Sequence, residues 1–342
     1  MINHSPPQPF VSIVIVSWNS CSDLARCLPT LVAQQYTAYE LIIVDNASDD
    51  NSAEFVQQTF PTAQIIQNHE NVGFAAASNQ GFAAGRGEIL IGLNPDTRVA
   101  SEWLCELIKP FADSHIGLTT PRIVLMDNPD QINTCGNEIS LTGLTFCIGV
   151  NQSTAQFDKT TPQAVSAISG AAFAMSRACY IATGGFDPSY FTYYEDTDLS
   201  LRATLAGFST VFVPSSIVQH DYQFRMSAHK MYWIERNRQI TLLKCLRRNT
   251  LLILLPSLLF GELIAWGYAI LNGPATALAK ARALWWILRF GWEIERIEGS
   301  DRQIVSQMVT RINFHQAMPP HIGQRLSQLC EPFLRFNKWL AL

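Results

Sequence analysis

Short apolar runs alternate with helix-spaced stretches through the first third of the chain. "VSIVIVSWN", from Val11 to Asn19, is a Val/Ile run closed by a polar residue, the pattern of a buried strand. In "SDLARCLPTLVAQQ", Leu24, Cys27, Leu28, Leu31 and Val32 share one helical face, and Pro29 predicts a kink or a late start. "ELIIVDNAS", "AQIIQN" and "EILIGLNPD" predict three further strands. "DDNSAEFVQQTF", with its capping start, "GFAAASNQGFAAG" and "SEWLCELIKPFA" predict helices between and after them. Strand and helix at this rhythm predict an α/β fold with a mostly parallel sheet covered by helices.

The regularity breaks after residue 116. Residues 117–168 offer short strand-like pieces and a polar stretch, "NQSTAQFDKTTPQ", that predicts a surface loop. From Ile168 to His220 the pattern predicts a strand, a glycine turn, an acidic helix start and another strand. Beyond about Met226 the chain reads as helical and increasingly apolar. The expected division is a tail over 1–10, a catalytic α/β domain over 11–224 and a helical basic and apolar region over 225–342.

Charge sharpens that division. The net charge is −4, yet residues 1–224 carry 8 basic and 21 acidic side chains, and residues 225–290 carry 10 and 2. The basic portion therefore faces something anionic. Nucleic acid is excluded as the partner by the acidity of the rest. The 8 cysteines form no CxxC pair, which argues against structural zinc and for reduced thiols. "MINHSPPQPF" lacks a basic stretch followed by an apolar one, so no secretory signal is expected.

Ligands of open parallel sheets bind beyond the carboxyl ends of the strands. Those ends carry Ser17-Trp18-Asn19, Asp45-Asn46-Ala47-Ser48 and Asn94-Pro95-Asp96. No glycine cradle for phosphates follows the first strand, because "SWNSCSD" has no glycine. A divalent metal held by a carboxylate is the alternative device, with Asp96 as its ligand and Asn94 adding a neutral oxygen. "NPD" is equally a β-turn signal.

The ordered set "VSIVIVSWNS", "LIIVDNASDDNS", "NHENVGFAAASNQG", "LNPDTRV", "GGFDPSYFTYYEDTDLSLR" and "RNRQITLLK" resembles family 2 glycosyltransferases, most of all the bacterial rhamnosyltransferase-like branch. The resemblance covers roughly residues 10–250. It implies a glycosyltransferase-A fold, a nucleotide-sugar donor (a dTDP-, UDP- or GDP-sugar, with rhamnose the leading sugar), Mg2+ or Mn2+, and inversion at the anomeric carbon. It implies that Asp45 contacts the nucleobase, that Asn19 and Asn71 line the nucleotide pocket, and that Asp96 is the last acid of the Asp-x-Asp metal motif. Asn94 stands where many relatives carry that motif's first Asp. His220 matches a histidine that binds the metal in some relatives.

"YYEDTDLSLR" puts three acids in four residues. The resemblance makes Asp196 the catalytic base and Glu195 its neighbour, orienting the site or touching the acceptor. Asp198, four residues before Arg202, pairs with it on a helix. Tyr193 and Tyr194 are either acceptor-binding rings or core, and Gly184 and Gly185 permit a tight turn beneath the acceptor. The 21-residue run from Leu251 to Leu271, "LLILLPSLLFGELIAWGYAIL", is long enough to span a bilayer, but Pro256, Gly261 and Glu262 weaken that reading. Basic residues and tryptophans on both flanks predict an interfacial or re-entrant helical hairpin at the cytoplasmic side of the cell membrane. An integral span and a core or homodimer helix stay open. The acceptor is then a lipid-linked or cell-surface glycan. The rivals are a nucleotidyltransferase and a non-catalytic membrane-associated scaffold of the same fold.

Overall fold

The computed structural model describes residues 8–157, 161–223, 225–312 and 320–342. Most of the 1–10 tail, part of the polar loop and residues 313–319 of the C-terminal region lie outside the described residues.

The first half alternates as its pattern predicts: β1 (Val11–Ser17), α1 (Cys21–Val32), β2 (Tyr39–Asp45), α2 (Ser52–Thr59), β3 (Gln64–Gln67), α3 (Phe74–Ala84), β4 (Ile89–Leu93), β5 (Thr97–Val99) and α4 (Trp103–Ile108). Helix α1 continues through Pro29 to Val32. The irregular middle holds β6 (Ile116–Leu125), β7 (Ile132–Thr134), β8 (Asn137–Ile139), β9 (Thr145–Cys147) and β10 (Gln163–Ala164). Then come β11 (Ala172–Ser176), α5 (Arg177–Thr183), α6 (Glu195–Leu205) and β12 (Ser209–His220). The remainder is helical: α7 (Ala228–Cys245), α8 (Arg248–Leu271), α9 (Pro274–Phe290), α10 (Arg302–Gln307) and α11 (Pro320–Ala341).

The main sheet runs β10-β12-β6-β11-β4-β1-β2-β3. Strands β3, β2, β1 and β4 pair in parallel, β11 runs against β4 and β6, and β6 and β12 pair in parallel. The carboxyl ends of β1, β2, β4 and β12 therefore share one rim. Alternation along β1 feeds two layers. Val11, Ile13 and Ile15 pack with α1 and α4, while Val14 packs with α3 and with Phe173 and Met175 of β11. Gly81 lets α3 approach closely, because a Cβ there would collide with Val14.

Helix α5 has no counterpart in the sequence reading. The Ser176 hydroxyl accepts a hydrogen bond from the Cys179 N–H and caps its start, and Gly184 at φ 74° ends it. A seven-residue helix is too short to show a periodic stripe.

Helices α8 and α9 form a hairpin across Asn272 and Gly273. Leu254, Ser257, Gly261, Ala265 and Ala269 form the buried stripe of α8. Leu252, Leu255, Leu259 and Leu263 face outward, and Leu263 is 71% exposed. Glu262, in the middle of the apolar run, turns inward to Arg238 and to Lys280, 3.0 Å away. Those two cations also pair with Glu235 of α7, Arg238 at 2.8 Å. The charge that interrupts the apolar run thus joins α8 to α7 and α9.

Candidate active site

The strand-end rim begins at Trp18 and Asn19. Asn19 takes a positive φ of 53°, its N–H donates to the Ser48 hydroxyl (2.9 Å), and its Oδ1 accepts from the Asp49 N–H (2.7 Å). Trp18 beside it is 56% exposed, a large ring left facing solvent at the rim. One residue past β2, Asn46 Oδ1 accepts from the Val72 N–H, and its amide donates to Asn71 Oδ1 at 2.9 Å. Asn71 also accepts the Gly73 N–H. Asp45 is buried. Its Oδ2 accepts weakly from the Ser48 N–H (3.4 Å), and its Oδ1 has no hydrogen-bond partner among the described residues. A buried carboxylate oxygen left open is costly unless a ligand donor meets it.

A second cluster forms where β4 and β12 end. Asp96 Oδ1 lies 3.3 Å from His220 Nε2 and is also buried without a hydrogen-bond partner among the described residues. On the other side of the ring, His220 Nδ1 is 3.0 Å from Asn133 Oδ1. An amide oxygen only accepts, so Nδ1 carries a proton, and Nε2 is the ring nitrogen directed to Asp96 and available to a cation between them. This oxygen and nitrogen suit Mg2+ or Mn2+, ions that a protein commonly holds through one or two side chains plus substrate phosphates. Asn133 was not foreseen; nothing in a lone Asn within "QINTCG" signals a partner 87 residues away.

The acids stand on the first turn of α6. The chain reaches them through Phe191, Tyr193 and Tyr194, all at φ of 61° to 67°, a conformation aromatic residues rarely adopt. Asn237 of α7 holds this loop by donating to the carbonyls of Tyr190, Thr192 and Tyr193 at 2.7–2.9 Å. The strain aims Glu195 and Asp196 inward.

Asp198 is compensated by Arg202 at 2.7 Å and by Lys244 at 2.8 Å. No lysine or arginine pairs with Glu195 or Asp196 among the described residues. Asp196 accepts from the Gly170 N–H (2.9 Å) and from the N–H and hydroxyl of Thr197. Glu195 Oε2 is buried with no hydrogen-bond partner among the described residues. Burial, and then the neighbouring Asp196 charge, push Glu195 up to about 8. Burial also raises Asp196, against the donors that favour its ionised form. The two carboxyls titrate as a coupled pair, and near neutrality they share a proton.

One cavity of about 700 Å³ brings together Asn94, Tyr193, Tyr194, Glu195, Asp196 and His220. Asp96 reaches it through His220. Asn19, Asp45 and Asn71 do not line it; they sit along the β1–β2 part of the rim. Gly184 and Gly185 do not line it either. They end α5, and Gly185 lies against Asn79, so helix termination accounts for both. Tyr194 donates its hydroxyl to the Gly143 carbonyl (3.2 Å) and accepts from the Thr145 N–H, which fixes the β8–β9 hairpin over the cavity.

This is the glycosyltransferase-A architecture: a mostly parallel sheet with helices on both faces and a polar rim at its strand ends. Residues 12–179 match the family model of Glycosyl transferase family 2, so the chain carries a domain of that family. The match ends before the acidic pair. Glycosyltransferase AglE of Haloferax volcanii is 35% identical over 28% of this chain and 33% of its own. The N-acetylglucosaminyl-diphospho-decaprenol L-rhamnosyltransferase of Mycobacterium tuberculosis is 25% identical over 61% of this chain and 75% of its own. Against three curated relatives the match spans 24%, 33% and 41% of their length. Among solved structures, GalNAc-T7 with UDP, GalNAc and Mn2+ shares the fold, with a TM-score of 0.60 at 19% identity, covering 85% of this chain and 58% of that one.

Proposed function

We propose that the protein transfers a sugar, with inversion, from a nucleotide-sugar donor to a hydroxyl of a lipid-linked glycan at a membrane surface. One observation carries this reading: Asp196 and His220 line the same cavity, and Asp96 stands 3.3 Å behind His220 Nε2. In-line displacement needs a proton acceptor on one side of the anomeric carbon and charge neutralisation on the other.

The acceptor hydroxyl gives its proton to Asp196 as its oxygen bonds to the anomeric carbon and the nucleoside diphosphate leaves. Thr197 and Gly170 hold the Asp196 carboxylate in place while burial makes it a stronger base than a solvated one. Protonated Glu195 donates a hydrogen bond into the site. Asp96 and His220 would hold a divalent cation, which would supply positive charge to the departing diphosphate. Asp45 receives the nucleobase on its open oxygen, beside Asn19 and Asn71, with Trp18 available for stacking. The donor is a dTDP-, UDP- or GDP-sugar. Rhamnose heads the set because the mycobacterial relative is named a rhamnosyltransferase.

The exposed faces of α8 and α9 support the membrane surface as the place of action. Their apolar residues include Leu259, Leu263, Trp285 and Leu288, with the exposed cations Arg248, Arg282 and Arg289 beside them. Among the described residues, α8 is the one helix long and apolar enough to cross a membrane. Its inward Glu262 favours lying along the surface, with the ion-paired side on the protein.

The test is a panel of nucleotide sugars screened for Mn2+-dependent thermal stabilisation, followed by transfer to a polyprenyl-diphosphate sugar. Stabilisation by one donor and inverted product are the expected results. Failure of every donor to bind, with Mn2+ present, would overturn the proposal.

A further inference from the structure

The cavity changes character along its length. At one end stand Glu195, Asp196, Asn94 and His220. Lys230 also lines the cavity, its Nζ 5.3 Å from the ring centres of both Tyr193 and Tyr222 and donating to the Tyr222 hydroxyl at 3.3 Å. The far limb is walled by Phe146, Met231, Ile234, Ile264, Tyr268 and Leu271. Its acid, Glu235, is already paired with Arg238 and Lys280. A sugar's hydroxyls find few partners on such a wall. Leu271 lines the limb and is also 78% exposed, so the limb opens at the apolar outer face of the α8–α9 hairpin. A cavity of this size takes a ligand larger than a monosaccharide.

We propose that the α7–α8 limb binds the first apolar units of the acceptor's lipid, and that Lys230 binds the phosphate joining lipid to sugar. This rests on the lipid-linked acceptor proposed above. The order of the wall then matches the order of the ligand: hydroxyl at Asp196, phosphate at Lys230, hydrocarbon along α8, bilayer beyond Leu271.

Gly267 supplies the probe. It lines the limb at its exposed outer end, and a Cβ there meets nothing within 4 Å, so a large side chain can be placed across the limb's mouth without a clash at its Cβ. Calorimetry on the full chain compares geranyl monophosphate with geraniol, inorganic phosphate and UDP–Mn2+. Geranyl monophosphate is expected to bind more tightly than geraniol or phosphate. Gly267→Trp should weaken it about tenfold. Lys230→Gln should weaken geranyl monophosphate and leave geraniol as it was. Wild-type affinity in Gly267→Trp would overturn the lipid limb. Weakened UDP–Mn2+ with unchanged geranyl monophosphate in Lys230→Gln would move that lysine to the donor and overturn its assignment here. These readouts need no turnover, so failure of sugar transfer is scored separately.

Discussion

Two pairs of carboxylates in this fold are treated in opposite ways. Glu235 and Glu262 meet Arg238 and Lys280, two negative charges against two positive ones. Glu195 and Asp196 meet backbone and hydroxyl donors and, among the described residues, no cation. Burial pushes Glu235 up, but Arg238 and Lys280 outweigh it and hold the group down at about 2. The same burial leaves Glu195 up at about 8. Counter-charge, not depth, separates the two pairs. A compensated cluster joins helices, whereas an uncompensated pair weakens the fold and persists where chemistry needs a basic carboxylate.

The comparison breaks first at Asp196. Asp196→Asn keeps the shape, retains one oxygen to accept from either Gly170 or Thr197, and removes the proton acceptor. Transfer should fall by about 10²–10⁴-fold. Affinity for the donor nucleotide with Mn2+, measured by calorimetry, should stay near the wild-type value. Normal turnover would leave the acids of α6 without a catalytic role.

The compensated pair should answer in stability. Lys280→Met leaves Glu235 and Glu262 with one cation between them, and should cost about 3–5 kcal/mol in urea unfolding. Lys280→Met combined with Glu262→Leu removes a matched pair and should recover a large part of that loss. If both variants are equally unstable, packing rather than charge balance explains the effect.

Much of the first half was legible because strands buried on both faces announce themselves locally, as in "VSIVIVS" and "ELIIVD". The Asp198–Arg202 pair was legible for the same reason, being one helical turn apart. The charge cluster was not, since Glu235, Glu262 and Lys280 are spread over 45 residues. Read alone, Glu262 counts against an apolar helix; placed in the fold, it tells which side of α8 faces the protein. Asn237 and Asn133 were invisible for the same reason: each acts on a segment more than 40 residues away. The rim acids were found through strand order. That His220 stands beside Asp96 depended on β12 returning beside β6.

Asn133 gives a smaller, more specific effect. Asn133→Ala removes the acceptor that fixes the His220 tautomer, so Mn2+ affinity should drop about 10–100-fold by direct binding measurement. Asp96→Ala should weaken Mn2+ and nucleotide together. An Asn133→Ala variant that binds Mn2+ normally would detach His220 from the cation.

The smallest effect tests the uncompensated pair directly, through stability rather than rate. Folding raises Glu195 from the ordinary carboxylate range to about 8, so the folded state binds its proton more tightly than the unfolded chain does. Below the ordinary range both states are protonated, and the group makes no pH-dependent difference. As pH rises from there toward about 8, the unfolded chain releases the proton first, and the folded state loses stability relative to it. Glu195→Gln cannot ionise and escapes that loss. Its Tm should track the wild type near pH 4.5 and exceed it by roughly 3 °C or more at pH 8.5, since each kcal/mol shifts Tm by a few degrees at this size. The equivalent change at the compensated pair, Glu235→Gln, should lower Tm throughout that range, because it leaves Arg238 and Lys280 one anion short. If the two substitutions move Tm in the same direction, counter-charge does not distinguish the pairs.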